Sequence, residues 1–178
     1  LNEEFKVVKS PKSFNSQIGL PISLLEINAK HELGIFEVGI SQPGEMQIQE
    51  GIFQPHIGVL THIGSAHSAN FNSEEQLIDE KILLFKDSET IIYNGDNELV
   101  YNKINQLNSS KKLISYGLKE SNNVRIISDW KNKSKEVSIS YFDEIISFPV
   151  QQRDEATLSN ALAIITILKE LGFDNDKI

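Results

Sequence analysis

The stretch TIIYNGDNELVYNKINQLNSSKKLISY, residues 90–116, predicts the fold class of this chain. Its apolar segments at 90–93 and 112–116 enclose a turn at 94–96 and a helical segment at about 98–107. Short apolar segments bounded by turn residues are typical of buried strands, and strands that alternate with helices are typical of a parallel sheet. We therefore predict an α/β fold.

The alternation of strands and helices continues on the amino-terminal side of this stretch. Residues 1–12 are polar and predict irregular structure. The segments after them predict, in order, a helix at about 21–27, a buried strand at 34–40, a helix at 45–50, a buried strand at 57–60 and a helix at about 74–86. Ser73 and Gln76 form a capping box at the start of the last helix. We therefore expect a mostly parallel sheet flanked by helices.

The pattern changes after Gly117. Three short segments within residues 123–150 are separated by turn residues, and residues 131–133 predict a hairpin tip. These segments predict a small antiparallel β patch. The last predicted element is an apolar helix at about 156–171, which ends at Gly172.

Composition excludes several classes of protein. The 178 residues suit one domain, and 39% hydrophobic residues suit a globular core. The net charge of −8, from 17 basic and 25 acidic residues, argues against extended nucleic-acid binding. The chain has no cysteine, which excludes disulfides and thiolate metal sites and is compatible with the cytoplasm. No apolar run reaches the roughly 18 residues of a membrane span.

Glu37 and His67 are polar residues at the ends of two predicted strands. Glu37 lies near the end of the strand at 34–40, and His67 follows the strand at 57–60. Ligands of open α/β sheets collect at the carboxyl ends of strands, and neutral histidine is a common metal ligand. Two alternatives stay open: Glu37 as a surface residue paired with a lysine, and His67 as polar surface. His62 competes with His67 for the same role.

Lys81 lies in the middle of an apolar helix face. Leu77, Ile78, Leu84 and Phe85 stand four and three residues before it and three and four after it. One hypothesis is a lysine whose stem packs and whose amine reaches solvent. The other is a lysine held near a charged site, with a pKa lowered by desolvation. Together with the two strand-end residues, Lys81 suggests a magnesium and phosphate site at the carboxyl edge of the sheet.

Six segments resemble the Mur ligase family of peptidoglycan synthesis. They occur in the family's order and cover roughly residues 13–97 and 154–168. The segments are FNSQIGLP at 14–21 with Leu24-Leu25, FEVG at 36–39 with PGEM at 43–46, PHIGVLTHIGSAH at 55–67, FNS at 71–73 with Glu80-Lys81, YNGD at 93–96, and LSNALA at 158–163.

The resemblance implies that residues 1–178 are the P-loop-type central, ATP-binding domain of such a ligase. It is closest to members that join D-alanyl-D-alanine to UDP-N-acetylmuramoyl-tripeptide through an acyl phosphate, with ATP and Mg²⁺ as cofactors. The implied roles are magnesium ligands for Glu37 and His67, the carbamylated lysine for Lys81, contact with the adenine or ribose of ATP for Asn160, and contact with the UDP-muramoyl substrate for Asn15 and Ser16.

The sequence also departs from the family pattern. His62 and Ser16 each stand where the family has Asn, and Ala156-Thr157 stands where many members have His-Asn. No Gly-Lys-Thr or Gly-Lys-Ser occurs, so the phosphate-binding loop is expected outside this chain. The amino-terminal UDP-binding domain and the carboxyl-terminal domain are expected there too, and the chain alone is expected to be inactive.

Two other functions remain open on the sequence. One is another Mur-type or folylpolyglutamate-synthase-like ligase. The other is a non-catalytic binding module that has lost its phosphate loop.

Overall fold

A computed structural model describes residues 1, 4–64, 70–107, 110–131, 136–151 and 154–178. The backbone forms two compact units. The first contains Leu1–Gln54 and Gly64–Lys86, and the second contains Pro55–Ile63 and Asp87–Ile178. None of the helices in the described ranges combines the length and the apolar character that a membrane crossing requires.

The first unit contains a pair of short parallel strands and three helices. The elements in chain order are β1 at Val7–Lys9, α1 at Gly19–Leu24, β2 at Leu33–Ile35, α2 at Glu45–Glu50 and α3 at Glu74–Leu83. Strand β1 pairs with β2 so that Val8 stands opposite Gly34.

Two predictions for this unit were wrong. The stretch predicted to be irregular at 1–12 contains β1, which the sequence did not indicate because two valines and a lysine carry too little pattern. The buried strand predicted at 34–40 is the shorter β2, in which Gly34 and Ile35 are exposed. Glu37 therefore follows this strand by two residues and lies in a loop.

Helix α1 begins at a close approach between two segments of backbone. It starts at Gly19, two residues before the start predicted from Pro21. Proline is tolerated there because the N–H groups of a first helical turn have no partner within the helix. A Cβ on Gly19 would lie 2.7 Å from Phe14 Cα and 2.8 Å from Phe14 C.

Replacing Gly19 with alanine is expected to destabilise the protein by about 1–3 kcal/mol, since the added methyl group must displace backbone atoms. The matched control is Gly51→Ala. Gly51 has an α-helical φ of −64°, and a Cβ there would meet carbonyl oxygens at ordinary distances of 3.5 and 3.8 Å. Urea unfolding of both variants is the measurement. Equal effects of the two substitutions would contradict the account of Gly19.

Helix α3 has the predicted cap and the predicted apolar face. Ser73 Oγ accepts a hydrogen bond from Gln76 N at 3.1 Å, and Gln76 Oε1 accepts one from Asn72 N at 2.8 Å. The helix ends at Leu83, before the predicted residue 86. The four apolar neighbours of Lys81 are all buried: Leu77, Ile78, Leu84 and Phe85.

The second unit contains a six-stranded sheet in the order β3-β4-β5-β6-β7-β8. Its elements are β3 at Ile57–Leu60, β4 at Thr90–Asn94, α4 at Glu98–Asn105, β5 at Lys112–Gly117, β6 at Val124–Ile126, β7 at Glu136–Tyr141, β8 at Glu144–Pro149, α5 at Glu155–Glu170 and a 3₁₀ turn at Asn175–Lys177. Strands β3 to β6 are parallel, and β6 to β8 are antiparallel.

This topology confirms the predicted α/β class and the antiparallel patch within residues 123–150. Of the predicted hairpin tip at 131–133, residues 132 and 133 lie outside the described residues. The core of the unit is formed by α5 and the sheet. Its buried members are Ile92, Ile114, Tyr116, Val124, Val137, Ile139, Ile146, Leu158, Leu162, Ala163 and Ile165.

Both ends of α5 follow from local chemistry. Asp154 Oδ1 accepts a hydrogen bond from Thr157 N at 2.9 Å and caps the first turn. At the other end Gly172 adopts a left-handed φ of +84°, and Phe173 N donates to the carbonyl of Leu168. The helix thus has the predicted stop at Gly172.

Candidate active site

The loop after β2 presents the Glu37 carboxylate. Glu37 is exposed, and its Oε1 accepts a hydrogen bond from Asn15 Nδ2 at 2.8 Å. Its backbone N donates to Ser10 Oγ at 3.3 Å, and Gly39 N donates to the carbonyl of Asn15 at 2.7 Å. The partner of Glu37 is therefore a neutral amide. The sequence had suggested a lysine as the alternative partner.

Lys81 in the first unit is within electrostatic reach of Glu37. Burial lowers the pKa of Lys81 from its ordinary value of 10.5, and the negative charge of Glu37 acts in the opposite direction. A lysine with a lowered pKa has a larger fraction of neutral amine at neutral pH. Neutral amines react with CO₂ to form carbamates, so this environment suits the modification that the family resemblance implies.

The shifted pKa of Lys81 predicts a pH-dependent effect of Lys81→Met on stability. Because burial lowers the folded-state pKa below the unfolded value, the unfolded chain binds more protons between the two values, and stability rises with pH through that window. We expect Lys81→Met to be more stable than the parent at pH 7. The difference should shrink as the pH rises toward 10.5.

The measurement is urea unfolding at a series of pH values in CO₂-depleted buffer without divalent cations. The control is Lys86→Met, since the Lys86 side chain is 68% exposed. A stability difference that is the same at every pH would contradict burial of the Lys81 amine.

Two carboxylates accept hydrogen bonds from the turn at residues 41–44. One of them, Glu80, belongs to α3, so the turn is bonded to that helix. Glu45 Oε2 accepts from Ser41 N at 2.6 Å, and Glu80 Oε1 accepts from Gly44 N at 3.0 Å. Asn70 Nδ2 donates to the carbonyl of Ser41 at 2.9 Å. The sequence singled out Glu80 only as the neighbour of Lys81. Its bond to a residue 36 positions away has no local sequence signal.

Three residues have different outcomes: the predicted magnesium ligand His67, its competitor His62 and the predicted substrate contact Ser16. His67 lies outside the described residues. His62, the alternative, is exposed and belongs to the second unit. Ser16 is exposed, and its Oγ accepts a hydrogen bond from Gly19 N at 3.2 Å, which supports the start of α1.

The described residues contain a carboxylate that suits magnesium. Mg²⁺ keeps several waters and is usually bound through one or two carboxylates, so the exposed Glu37 side chain fits such an ion. Across the described ranges no group of three or more His, Cys, Asp or Glu side chains is arranged to hold a metal. A carbamate on Lys81 would supply further oxygen ligands beside Glu37.

Asn160 lies in the second unit, on the exposed side of α5. The preceding residue, Ser159, accepts a hydrogen bond through Oγ from Asn94 Nδ2 at 3.1 Å. Asn94 is the last residue of β4, so this bond places Ser159, the residue before Asn160, beside the carboxyl end of an interior strand of the sheet. That edge is where open α/β sheets bind ligands.

The YNGD turn at 93–96 is held by its own aspartate. The Asp96 carboxylate accepts hydrogen bonds from the backbone of Leu118 and Lys119 at 2.7 and 2.9 Å, and from Asn122 Nδ2 at 2.9 Å. A Cβ on Gly95 would overlap Asn122 Oδ1. The described contacts of this motif join the turn after β4 to the residues that follow β5.

Comparison with known families decides the identity of this domain. Residues 1–168 match the Mur ligase middle domain. The chain belongs to the Mur ligase family. Among curated relatives, the UDP-N-acetylmuramoyl-tripeptide--D-alanyl-D-alanine ligase of Treponema pallidum is 39% identical over 84 residues, which are 47% of this chain and 18% of the relative. The ligase of the same name from Synechocystis is 29% identical over 177 residues, which are 98% of this chain and 37% of the relative.

Solved structures show the same fold for this Mur ligase domain. MurF ligase from Thermotoga maritima, solved in complex with ADP, aligns with a TM-score of 0.82 and 22% identity over 98% of this chain and 41% of its own. Escherichia coli FolC, solved with DHPP and ADP, aligns with a TM-score of 0.55 and 16% identity over 83% of this chain and 33% of its own. The chain spans about two fifths or less of the length of these relatives.

Proposed function

We propose that this chain is the ATP-binding domain of a ligase that joins D-alanyl-D-alanine to UDP-N-acetylmuramoyl-tripeptide in peptidoglycan synthesis. The observation that carries the proposal is the partly buried Lys81 amine in the field of the Glu37 carboxylate, within a Mur ligase middle domain. The names of the curated relatives support the choice of substrates.

Each candidate residue has a stated role in this proposal. The Lys81 ammonium first loses one proton, and the neutral amine then adds CO₂ and loses a second, which converts a cation into an anionic oxygen donor. The Lys81 carbamate, Glu37 and His67 would then hold Mg²⁺. When bound, Mg²⁺ offsets the negative charge that develops on the transferred phosphoryl group.

Three other residues would bind the organic substrates. Asn160, which follows the Ser159 that bonds to the end of β4, would contact the adenine or ribose of ATP. Asn15 and Ser16 would lie toward the UDP-muramoyl substrate. These roles rest on the family resemblance, and the exposed position of Asn160 on α5 is compatible with a ligand contact.

The proposed reaction proceeds in two balanced steps. The carboxylate of the tripeptide attacks the γ-phosphorus of ATP, which forms an acyl phosphate and releases ADP. The amine of D-alanyl-D-alanine then attacks the acyl carbon, a peptide bond forms, and inorganic phosphate leaves with the loss of one proton. The chemistry on the protein side is positioning and charge stabilisation.

The proposal concerns the whole polypeptide that carries this domain. A phosphate-binding loop, a UDP-binding domain and a domain for the amine substrate would lie outside residues 1–178. We further propose a cytoplasmic enzyme, because ATP and UDP-linked precursors are available there.

The test is ADP release by the full-length polypeptide, measured with each substrate alone and with both together. The proposal expects ADP release that depends on UDP-N-acetylmuramoyl-tripeptide. It also expects a product with a new peptide bond when D-alanyl-D-alanine is present. Because FolC shares part of the fold, a folate substrate with L-glutamate forms a second arm. Turnover in that arm alone would favour a folylpolyglutamate-synthase-like ligase, and no turnover in either arm would favour a non-catalytic module.

A further inference from the structure

Asn15 makes three direct contacts with the loop that carries Glu37. Its Nδ2 donates to Glu37 Oε1 at 2.8 Å, and its backbone carbonyl accepts from Gly39 N at 2.7 Å. Its carboxamide also packs under Gly39, where an added Cβ would lie 3.3 Å from both Asn15 Cγ and Nδ2. One residue therefore contacts both the side chain and the backbone of this loop.

A second residue holds the same loop through the other backbone group of Gly39. Gln49, on α2, is fully buried, and its Nε2 donates to the carbonyl of Gly39 at 2.9 Å. Both backbone polar groups of Gly39 are thus bonded, to Asn15 through the N–H and to Gln49 through the carbonyl. The backbone beside Glu37 is consequently restrained, and the Asn15 side chain restrains the carboxylate itself.

The chemistry of the partner distinguishes this arrangement from an ordinary surface ion pair. A lysine or arginine would neutralise Glu37 and compete with a cation for its charge. The Asn15 amide donates one hydrogen bond without adding charge, so this bond does not offset the attraction of the carboxylate for a cation. Residues that orient metal ligands in this way typically contribute a factor of about 10–100 to metal affinity.

We propose that Asn15 is a positioning residue that orients the Glu37 carboxylate toward a divalent cation. The inference rests on the proposed function, because it assigns the cation to Glu37. It also changes the expected role of Asn15. Its Nδ2 group donates one of its two N–H groups to Glu37, and the inference assigns its main effect on the reaction to the metal site instead of to binding of the UDP-muramoyl substrate.

Binding of Mn²⁺, followed by electron paramagnetic resonance in the full-length protein without turnover, tests this assignment. The variants are Asn15→Ala, Glu37→Gln and the double variant, each measured with ADP present. Asn15→Ala is expected to weaken Mn²⁺ binding by about 10-fold. The double variant should bind no more weakly than Glu37→Gln, because Asn15 acts through Glu37. Calorimetry should show the affinity for the UDP-muramoyl substrate without metal changed by less than about twofold.

The matched control is Asn28→Ala. The Asn28 carboxamide bonds within its own turn, to the carbonyl of Glu26 and the N–H of Lys30, so its loss should leave Mn²⁺ affinity unchanged. Asn15→Ala keeps the backbone hydrogen bond between Asn15 and Gly39. Asn15→Ser is measured in the same way and replaces Asn15→Ala if that variant fails to fold.

Two different failures can be told apart. If Glu37→Gln weakens Mn²⁺ binding and Asn15→Ala does not, the positioning role is overturned and the proposed function stands. If Asn15→Ala weakens only the binding of the UDP-muramoyl substrate, Asn15 is a substrate contact and the inference is overturned. If Glu37→Gln has no effect on Mn²⁺ binding, Glu37 is not a metal ligand, and the metal site in the proposed function fails together with the inference.

Discussion

Replacing Lys81 with alanine is expected to lower the rate of amide formation by the full-length protein by about 10³-fold, which corresponds to about 4 kcal/mol of transition-state stabilisation. The reason is that the variant loses the only atom that could carry the proposed carbamate on α3 beside Glu37. The protein should still fold, because alanine favours the helix and the buried neighbours Leu77 and Ile78 stay in place.

Two measurements accompany this prediction. The rate of phosphate release gives the loss of activity, and the control Lys86→Ala, at an exposed lysine just after α3, should retain the parent rate. Nuclear magnetic resonance with ¹³C-labelled bicarbonate should show a carbamate signal in the parent that Lys81→Ala lacks. A signal of equal intensity in both proteins, or an active Lys81→Ala variant, would contradict the role proposed for this lysine.

Glu37→Gln is expected to produce the second large effect, a loss of about 10²–10³ in rate at a fixed, moderate concentration of Mg²⁺. The substitution keeps the shape of the side chain, and the new amide oxygen can still accept the hydrogen bond from Asn15. What changes is the charge available to a cation. The loss should therefore become smaller as the concentration of Mg²⁺ is raised.

The control for this charge effect is Glu32→Gln. Glu32 is also exposed and also accepts one N–H hydrogen bond, from Lys6 at 2.9 Å. Its replacement should leave both the rate and the Mg²⁺ dependence unchanged. A Glu37→Gln variant with the parental Mg²⁺ dependence but weaker binding of the UDP-muramoyl substrate would show that Glu37 contacts the substrate and not the metal.

Local periodicity allowed much of the second unit to be predicted. Strands such as β4 and β7 are short apolar or alternating segments with turn residues at both ends, so their positions follow from the sequence alone. The capping box of α3 and the apolar face around Lys81 also depend on residues within one or two helical turns. The strands, the cap and the apolar face were predicted correctly because the residues that determine each of them lie close together along the chain.

The first unit was harder to predict because long-range contacts dominate it. Strand β1 has three residues and acquires its identity only by pairing with β2, 26 residues later. The bond between Asn15 and Glu37 joins residues 22 positions apart, and the bond between Gly44 and Glu80 joins residues 36 apart. No periodic pattern encodes such pairs. The need for glycine at position 19 likewise arises from a backbone contact that the sequence does not indicate.

The roles of the candidate residues stay predictions, and the structure adds contacts for some of these residues but not for others. The structure brings Glu37 and Lys81 within electrostatic reach of each other and gives Asn15 a partner that the sequence had not suggested. His67 lies outside the described residues, so its role depends on the family resemblance. Asn160 is exposed on α5, and its contact with the nucleotide stays a prediction from the family resemblance.

The most direct test of the central claim is identification of the product by mass spectrometry. The full-length protein would be incubated with ATP, Mg²⁺ and UDP-N-acetylmuramoyl-tripeptide, together with an equimolar mixture of D-alanyl-D-alanine, L-alanine, D-glutamate and L-glutamate. The account predicts one product, in which the tripeptide carries D-alanyl-D-alanine through a new peptide bond. A product that carries one of the single amino acids, or an unchanged tripeptide, would contradict it.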